Sequence, residues 1–304
     1  MAEEISVGGI TVPLSHPDKV LFPDDGITKE DLARYYADVA DRMLPWLRDR
    51  PITMVRYPDG LGGQRFFQKN APSYFPAWIR RVEVGKEGGK VEHAVCDQPA
   101  TLVYLANQAC IEIHEFTSRA DKLDVPDQMV FDFDPPDGNR FADVRRAALW
   151  TRDLLDDELG LSSFVRTSGG RGLHVHVALN RRADFGAVRE FAHRAADVLA
   201  RRHPDVITTE QRKDKRADRI YADVMRNAYA QTVAATYGVR ARAGAPVATP
   251  LSWSEVADDA LQPSQFTMAT VRARLASGHD PWADFTRATH GLAEAGKRLA
   301  KLDA

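Results

Sequence analysis

The sequence of 304 residues has little of several features that define whole classes of protein. Its two cysteines, Cys96 and Cys110, are too few for a disulfide framework or a four-cysteine zinc site, and we expect both to be small buried apolar residues. No apolar run approaches the roughly 18 residues of a membrane span. The N-terminus lacks the basic and apolar regions of a signal peptide. These absences predict a soluble, cytoplasmic protein with no membrane partner.

An excess of charge of one sign is also missing, because 41 Lys and Arg residues nearly balance 43 Asp and Glu residues. The resulting net charge of −2 argues against indiscriminate binding of nucleic acid. A net charge near zero does not exclude a basic face on one part of the surface. Residues 201–219 form such a segment, with seven Lys or Arg residues against four acids, although a solvated loop has the same composition. Global charge therefore leaves the partner open.

Internal repeats, low-complexity segments and flexible linkers are absent, which favours one continuous domain over residues 1–304. Apolar periodicity and capping residues predict helices from Thr28, over 99–109, over 141–159, over 184–202, from Ser252 and from Trp282. Short strands and hairpins alternate with these helices without the regular order of parallel units. The predicted fold class is α+β, with mixed or antiparallel sheets and helices on their outer faces.

The stretch "MVFDFDPPDG" (residues 129–138) places Asp132 and Asp134 on one face of an apolar strand, because alternate side chains share a face. Two carboxylates at that spacing repel each other unless a cation lies between them. A plain turn would explain Asp134 and Asp137, since Asp, Pro and Gly are turn residues, but it leaves Asp132 unexplained. A divalent metal at the end of a strand would explain both Asp132 and Asp134.

Two further segments carry residues that suit phosphate chemistry. In "RTSGGRGLHVHV" the turn Ser168–Gly172 combines glycines, a hydroxyl and Arg171, which is typical of a phosphate-binding loop, although a plain glycine hairpin has similar glycines. In "RIYADVMRN" Asp223 ends another apolar strand, as a third metal ligand or as a satisfied core acid. Three carboxylates and such a turn favour two-metal phosphoryl or nucleotidyl transfer.

These motifs resemble those of the archaeo-eukaryotic primases, and more closely the polymerase domain of bacterial DNA ligase D. The resemblance rests on "DFDPPD", "SGGRGLHVHV" and "ADVMRN", and it continues through "HPDKVLFPDDGITKEDLARYY", "RFFQKN", "IEIHEF" and "RARAGAPVATPLSW". It implies the primase-polymerase fold, with two sheets around a central cleft. The parts would be a DNA 5′-phosphate-binding part at 1–110, a catalytic sheet at 111–250 and a helical part at 251–304.

The resemblance also implies a DNA-dependent nucleotidyltransferase that adds nucleotides, preferentially ribonucleotides, to a 3′-hydroxyl at short gaps or double-strand breaks. Two divalent ions, Mn²⁺ or Mg²⁺, would be the cofactors, and a nucleoside triphosphate the substrate. Its partners would be DNA with gaps or broken ends that bear a 5′-phosphate, an end-binding protein and a ligase. The pathway would be end joining or gap filling in bacterial DNA repair.

The same resemblance implies roles for particular residues. The metal ligands would be Asp132, Asp134 and Asp223. The nucleotide would be bound by Ser168, Arg171, His174, His114, Thr232, Arg240 and Arg242, with His114 and Thr232 near the sugar. DNA would be bound by Lys19 and Lys29 at the 5′-phosphate, by Phe66 and Phe67 through stacking, and by Arg216, Arg226 and Asn227.

Some of these residues also have simpler interpretations. Phe66 and Phe67 could be a buried pair, His114 a surface histidine, and Thr232 an ordinary strand residue. Arg171 stands where the family often has Lys, and the Lys-x-Asp-Gly motif of adenylation is absent, which excludes a ligase. Two other classes of function are a non-catalytic DNA-end adaptor and a metal phosphatase of the haloacid dehalogenase type. The phosphatase would need Thr or Val at position 135, where this chain has Pro.

Overall fold

The computed structural model describes residues 3–136 and 140–303, so Asp137 and Gly138 of the predicted turn lie outside the described residues. The helices are α1 (Lys29–Leu47), α2 (Pro99–Asn107), α3 (Phe141–Arg152), α4 (Phe185–Arg202), α5 (Trp253–Ala257), α6 (Met268–Ala276) and α7 (Leu292–Leu302). Within the described ranges, none of these helices combines the length and the apolar character needed to cross a membrane.

The strands are short and, as predicted, alternate with the helices. They are β1 (Glu3–Val7), β2 (Ile10–Leu14), β3 (Val20–Phe22), β4 (Ile27–Thr28), β5 (Ile52–Arg56), β6 (Phe66–Gln68), β7 (Arg81–Lys86), β8 (Gly89–Ala94), β9 (Cys110–Phe116), β10 (Ser118–Arg119), β11 (Lys122–Pro126), β12 (Gln128–Asp134), β13 (Ser163–Thr167), β14 (Leu173–Ala178), β15 (Ile207–Thr208), β16 (Ile220–Asp223), β17 (Thr232–Ala234) and β18 (Pro250–Leu251). The α+β fold class is therefore confirmed.

The chain divides into two compact units, each built from separate stretches of sequence. The first unit comprises Met1–Asp121, Thr232–Ala248 and Phe266–His279, and the second comprises Lys122–Gln231, Thr249–Gln265 and Asp280–Ala304. The division of residues 1–304 into one domain with three successive parts stays a prediction.

The first unit contains an antiparallel sheet in the order β17-β9-β5-β6, together with α1 and α2, which pack against each other. Helix α1 begins as predicted, because the Thr28 side chain accepts from the Asp31 amide while the Asp31 carboxylate accepts from the Thr28 amide. Its predicted apolar stripe from Leu32 to Met43 is buried. Cys96 and Cys110 are buried and unbridged, as expected.

The second unit is organised around a six-stranded sheet in the order β15-β16-β12-β14-β13-β18. Strands β15 and β16 are parallel, and the other neighbours are antiparallel, so the sheet is mixed. Met129, Phe131 and Phe133 of β12 are fully buried on one face of the sheet, and helices α3 and α4 pack against the strands. The alternation of β12 therefore turns its acidic residues toward the other face.

The predicted helix over 141–159 is confirmed in extent, since α3 continues as a π-helical segment over Asp153–Leu159. The prediction that the tail is helical from Trp282 was wrong for its first ten residues, because α7 begins only at Leu292. Trp282 instead donates its indole N–H to the carbonyl of Val165 at 2.9 Å. The residues after it are held in turns and in a bridge between His290 and Leu179, which prevents a continuous helix.

Candidate active site

The three predicted metal ligands lie on one face of the six-stranded sheet. Asp132 stands directly opposite Asp223 in the antiparallel pairing of β12 with β16, and Asp134 stands opposite Tyr221. Residues opposite each other in an antiparallel pair turn their side chains to the same face, and so do residues two apart on a strand. The register thus brings Asp223 beside Asp132 and Asp134, and we call these three residues the carboxylate cluster.

Mutual repulsion within the carboxylate cluster raises the pKa values of its members. The charge of Asp132, then burial and the charge of Asp223, raise the pKa of Asp134 to about 6, against the opposing effect of Arg226 and Arg171. Burial and the charge of Asp132 also raise the pKa of Asp223. Because Asp134 remains accessible to solvent at the end of β12, water screens part of this repulsion. The cluster is nevertheless a place where a cation would be stabilised.

Two basic side chains lie beside the buried carboxylate of Asp132. The Nε2 atom of His174 lies 3.2 Å from Asp132 Oδ1, and Arg226 Nε lies 3.9 Å from Asp132 Oδ2. Asp223 is oriented by the backbone instead, because its Oδ1 accepts from the amide of Met225 at 2.7 Å. His174 is therefore a direct neighbour of the cluster, in the row formed by the register of β12 with β14.

The carboxylate cluster fits a hard divalent cation by its chemistry, since its donors are carboxylate oxygens of the type that Mg²⁺ and Mn²⁺ bind. Among residues 3–136 and 140–303, no three His, Cys, Asp or Glu side chains are already arranged as a metal cage. Asp132 is turned toward His174 and Arg226 at present. The backbone places the ligands on one face, and side-chain rotation would have to complete a site.

The predicted phosphate-binding turn lies at the end of β12. The Ser168 Oγ atom accepts from the amides of Gly170 and Gly172 at 3.2 Å each, so these two amides are committed to the turn itself. Gly169 has a φ of +65°, a conformation that favours glycine. Gly172 is required for another reason, because a Cβ there would lie 2.3 Å from the carbonyl oxygen of Phe133. The turn thus packs directly on the strand that carries Asp132 and Asp134, with Arg171 exposed.

A buried polar network lies in the same sheet. Arg166 Nε donates to His176 Nε2 at 3.1 Å, and His176 Nδ1 contacts Gln128 Oε1 at 3.0 Å. Arg166 pairs in register with His174, so its guanidinium belongs to the same row as the carboxylate cluster. Sequence reasoning did not assign Arg166 or Gln128 a role. The signal that could have found them is their place, at a period of two, on the polar face of apolar strands.

In the first unit, the sheet brings together residues predicted to bind the nucleotide. Glu112 and His114 lie on one face of β9, and Arg240 follows β17. Glu112 contacts both of the others: its Oε2 lies 3.0 Å from His114 Nε2, and its Oε1 accepts from Arg240 Nε at 3.1 Å. Burial would raise the pKa of Glu112, but the hydrogen bond from His114 and the charge of Arg240 lower it to about 2.

Thr232 pairs with Phe116, while His114 pairs with Ala234, in the register of β17 with β9. Thr232 is therefore a diagonal neighbour of His114 on the same face of the sheet. Arg242 is exposed in the turn that follows Arg240. Sequence reasoning missed Glu112, because an alternating strand says nothing about which acid is bonded to an arginine far along the chain.

The predicted binding site for the 5′-phosphate of DNA consists of two lysines near the beginning of the first unit. Lys29 is buried, and its Nζ donates to the carbonyl oxygen of Ser15 at 2.5 Å. Burial, and then the nearby charge of Lys19, lower the pKa of Lys29. Lys19 Nζ forms an exposed ion pair with Asp59 at 3.2 Å. Two cations this close to each other form a site where an anion would relieve repulsion.

Phe66 and Phe67 are both exposed, at 46% and 60%, so the alternative that they form a buried pair is wrong. They lie on β6, a three-residue edge strand, and the guanidinium of Arg65 lies 5.4 Å from the Phe67 ring centroid. Tyr74 is exposed as well, and its hydroxyl accepts from Arg56 at 3.2 Å. Exposed rings beside arginines are typical of surfaces on which bases stack.

The remaining predicted DNA contacts differ in their surroundings. Asn227 is fully buried, and its amide bonds to the backbone N–H and C=O of Val130, so it holds the chain after β16 against β12. Arg216 stacks on Tyr221 at 3.9 Å from the ring centroid and braces its own loop. Arg226 faces Asp132, as described above. Asn227 thus has a structural position, and Arg226 belongs to the surroundings of the carboxylate cluster.

Comparison with known proteins gives a consistent result. The family described as "LigD, primase-polymerase domain" matches residues 28–282. The chain is 34% identical over 271 residues to the bifunctional non-homologous end joining protein LigD of Bacillus subtilis, covering 89% of this chain and 43% of that protein. It is 34% identical over 290 residues to the multifunctional non-homologous end joining protein LigD of Pseudomonas aeruginosa, covering 94% of this chain and 34% of that protein. The chain thus spans less than half the length of these relatives.

The chain also resembles a solved polymerase domain over nearly its whole length. The polymerase domain from Mycobacterium tuberculosis ligase D in complex with DNA superposes with a TM-score of 0.85 at 31% sequence identity. The match covers 92% of this chain and 99% of that domain. The likeness therefore concerns a complete polymerase domain rather than a shared fragment.

Proposed function

The chain belongs to the family of LigD primase-polymerase domains, and we propose that it is a DNA-dependent nucleotidyltransferase that extends a 3′-hydroxyl at short gaps or double-strand breaks. In the reaction, the 3′-oxygen of the primer forms a bond to the α-phosphorus of a nucleoside triphosphate. The bond between the α-phosphorus and its bridging oxygen breaks, pyrophosphate leaves, and the hydroxyl proton passes to water. DNA is the proposed partner, in keeping with the DNA complex of the M. tuberculosis domain.

One observation carries this proposal: Asp132 and Asp223 face each other in register while the Ser168–Gly172 turn packs on the end of the same strand. Asp132, Asp134 and Asp223 would hold two divalent ions, Mg²⁺ or Mn²⁺, which supply charge stabilisation for the attacking and leaving oxygens. Ser168, Arg171 and His174 would orient the triphosphate. Arg226 would add positive charge beside them, since its guanidinium already faces Asp132.

The proposed roles in the first unit are those that the resemblance to ligase D polymerase domains implies. His114 and Thr232 would contact the sugar, and Arg240 and Arg242 the phosphates. Lys19 and Lys29 would bind the 5′-phosphate on the far side of a gap, and Phe66 and Phe67 would stack on template bases. An end-binding protein and a ligase would complete an end-joining reaction, as the names of the relatives suggest for those proteins.

The decisive experiment is primer extension on a gapped duplex with labelled nucleotides and Mg²⁺ or Mn²⁺. We expect incorporation by the wild type and none by Asp134→Ala, while the affinity of that variant for the duplex stays near that of the wild type. A matched control is Asp214→Ala, which removes an exposed acid that pairs with Arg212. Binding of DNA without incorporation by the wild type would support the adaptor instead, and release of phosphate from a simple ester would support the phosphatase.

The sugar preference has a test of its own. A site built around a hydroxyl leaves its polar groups unpaired when the hydroxyl is missing. A net hydrogen bond contributes on the order of 1 kcal/mol, so we expect a several-fold to tens-fold preference for ribonucleotides. Thr232→Val keeps the shape of the side chain and removes the hydroxyl, and it should narrow that preference. A wild-type preference for deoxyribonucleotides would contradict the proposed sugar role.

A further inference from the structure

Glu112 uses both oxygens of one buried carboxylate to hold groups from two parts of the first unit. Its Oε2 contacts His114 Nε2 at 3.0 Å. Its Oε1 accepts from Arg240 Nε at 3.1 Å and from the backbone N–H of Ala241 at 3.0 Å. One side chain, 11% exposed, therefore connects strand β9 with the chain that follows β17.

We infer that Glu112 is a positioning residue for sugar selection, which acts by fixing the ring of His114 and the guanidinium of Arg240. This inference rests on the proposed function, because it assigns a task to a residue that touches two proposed nucleotide contacts. Glu112 itself is not expected to touch the substrate.

The protonation of the Glu112 carboxylate determines how the His114 ring is held. The hydrogen bond from His114 and the charge of Arg240 keep the pKa of Glu112 at about 2, so the group is ionised at neutral pH and can only accept hydrogen bonds. His114 must therefore carry a hydrogen on Nε2. When the ring is neutral, its Nδ1 is then an acceptor. An acceptor there can bind the 2′-hydroxyl of a ribose, whereas the hydrogen at the same position of a deoxyribose offers it no donor.

The arrangement differs from an ordinary buried ion pair. An acid that only neutralised Arg240 would need one partner, whereas Glu112 also binds a backbone amide and an imidazole. The Arg240 contact is made through Nε, an atom in the plane of the guanidinium, so it also fixes the orientation of that plane. The same carboxylate thus orients both side chains.

Glu112→Gln separates this role from simple bracing. The amide oxygen of Gln can still accept from Arg240 and Ala241, but its NH₂ group is a donor that opposes the Nε2 hydrogen of His114. The ring should respond by moving its hydrogen to Nδ1 or by turning away. We expect the ratio of ribonucleotide to deoxyribonucleotide incorporation to fall about tenfold through a higher KM for the ribonucleotide, with kcat for the deoxyribonucleotide little changed.

A second readout does not depend on activity. Nitrogen-15 NMR of the histidine rings should show a hydrogen on Nε2 of His114 in the wild type, and loss of that state in Glu112→Gln. Glu112→Asp keeps the charge and should preserve the Nε2 hydrogen with a smaller loss of selectivity, and it serves if Glu112→Gln does not fold. Glu158→Gln is the matched control, because Glu158 pairs with Arg202 in the second unit and should alter neither readout.

The outcomes distinguish failure of the positioning role from failure of the proposed function. Incorporation by the wild type together with unchanged selectivity and unchanged ring nitrogens in Glu112→Gln would overturn the positioning role. Equal loss of ribonucleotide and deoxyribonucleotide incorporation, with lower stability, would assign Glu112 to bracing alone and would overturn it as well. Failure of the wild type to incorporate any nucleotide would refute the proposed function, whereas the NMR comparison would still report whether Glu112 sets the state of His114.

Discussion

Replacing Gly172 by Ala tests the link between the glycine turn and the carboxylate cluster. A Cβ at this position would lie 2.3 Å from the carbonyl oxygen of Phe133 and 3.2 Å from Asp134 Oδ1. A carbon normally approaches a carbonyl oxygen no closer than about 3.3 Å. The turn and the end of β12 must therefore separate by roughly 1 Å to accept one methyl group.

The strands offer little room for such a movement. Phe133 pairs in register with Leu173, the residue directly after Gly172, so a shift of the turn loosens the last pair of the β12–β14 ladder. Overpacking of this kind typically costs about 1–3 kcal/mol of stability. Misplacement of reacting groups by about 1 Å can lower a rate about a hundredfold. We expect both effects in Gly172→Ala, with kcat reduced more strongly than the affinity for DNA.

Single-nucleotide primer extension gives kcat and KM, and denaturant unfolding gives the free energy of unfolding. The control is Gly296→Ala in α7, where the new methyl group has no neighbour within 4 Å. That variant should gain about 1 kcal/mol or less from the higher helix propensity of Ala, with unchanged kinetics. If Gly172→Ala had the stability and the kcat of the wild type, the argument from close packing of the turn on β12 would be refuted.

Three further predictions concern charge and burial. Because the native pKa of Asp134 is raised to about 6 from 3.8, the native state binds an extra proton between these values and loses stability as pH rises through 6. Asp134→Asn should therefore raise the denaturation midpoint at about pH 7.5 but not below about pH 4, and an equal effect at both would contradict the repulsion. The affinity of the wild type for a gapped duplex should fall as the salt concentration rises and when the 5′-phosphate is removed. The double variant Lys19→Ala, Lys29→Ala should bind duplexes with and without the 5′-phosphate equally well. Its plot of log affinity against log salt concentration should be less steep by about 2. If the wild type bound duplexes with and without the 5′-phosphate equally well, the proposed 5′-phosphate site would be excluded. His176→Ala removes the acceptor of the Nε–H of the buried Arg166 and should lower the free energy of unfolding by about 1–3 kcal/mol, measured with denaturant; a change within error would show that Arg166 does not depend on His176.

Much of the local structure could be predicted from the sequence. Thr28 and Asp31 form the expected capping box, Ser252 caps α5 as expected, and β12 carries Asp132 and Asp134 on one face. Each of these features depends on residues a few positions apart, for which helix and strand geometry set the spacing. The motifs around Asp132, Ser168 and Asp223 also sufficed to indicate the family that the comparisons show.

Tertiary structure decided which of these features meet. Asp223 reaches the carboxylate cluster only because β16 pairs with β12 in one register, and a shift by one residue would turn it to the opposite face. Phe66 and Phe67 are both exposed because β6 is a short edge strand, which their alternation could not reveal. Glu112 bonds to Arg240 across a long stretch of chain.

Asn227 is a residue for which the tertiary structure replaced a predicted binding role with a structural one. The family resemblance implied a DNA contact for Asn227, but its buried side-chain amide bonds to the backbone of Val130. Periodicity and capping are local properties, so the sequence by itself determined the elements and the face on which each polar residue lies. Which elements become neighbours depends on pairing between distant strands, and that pairing decides whether a polar side chain meets a partner, a substrate or water.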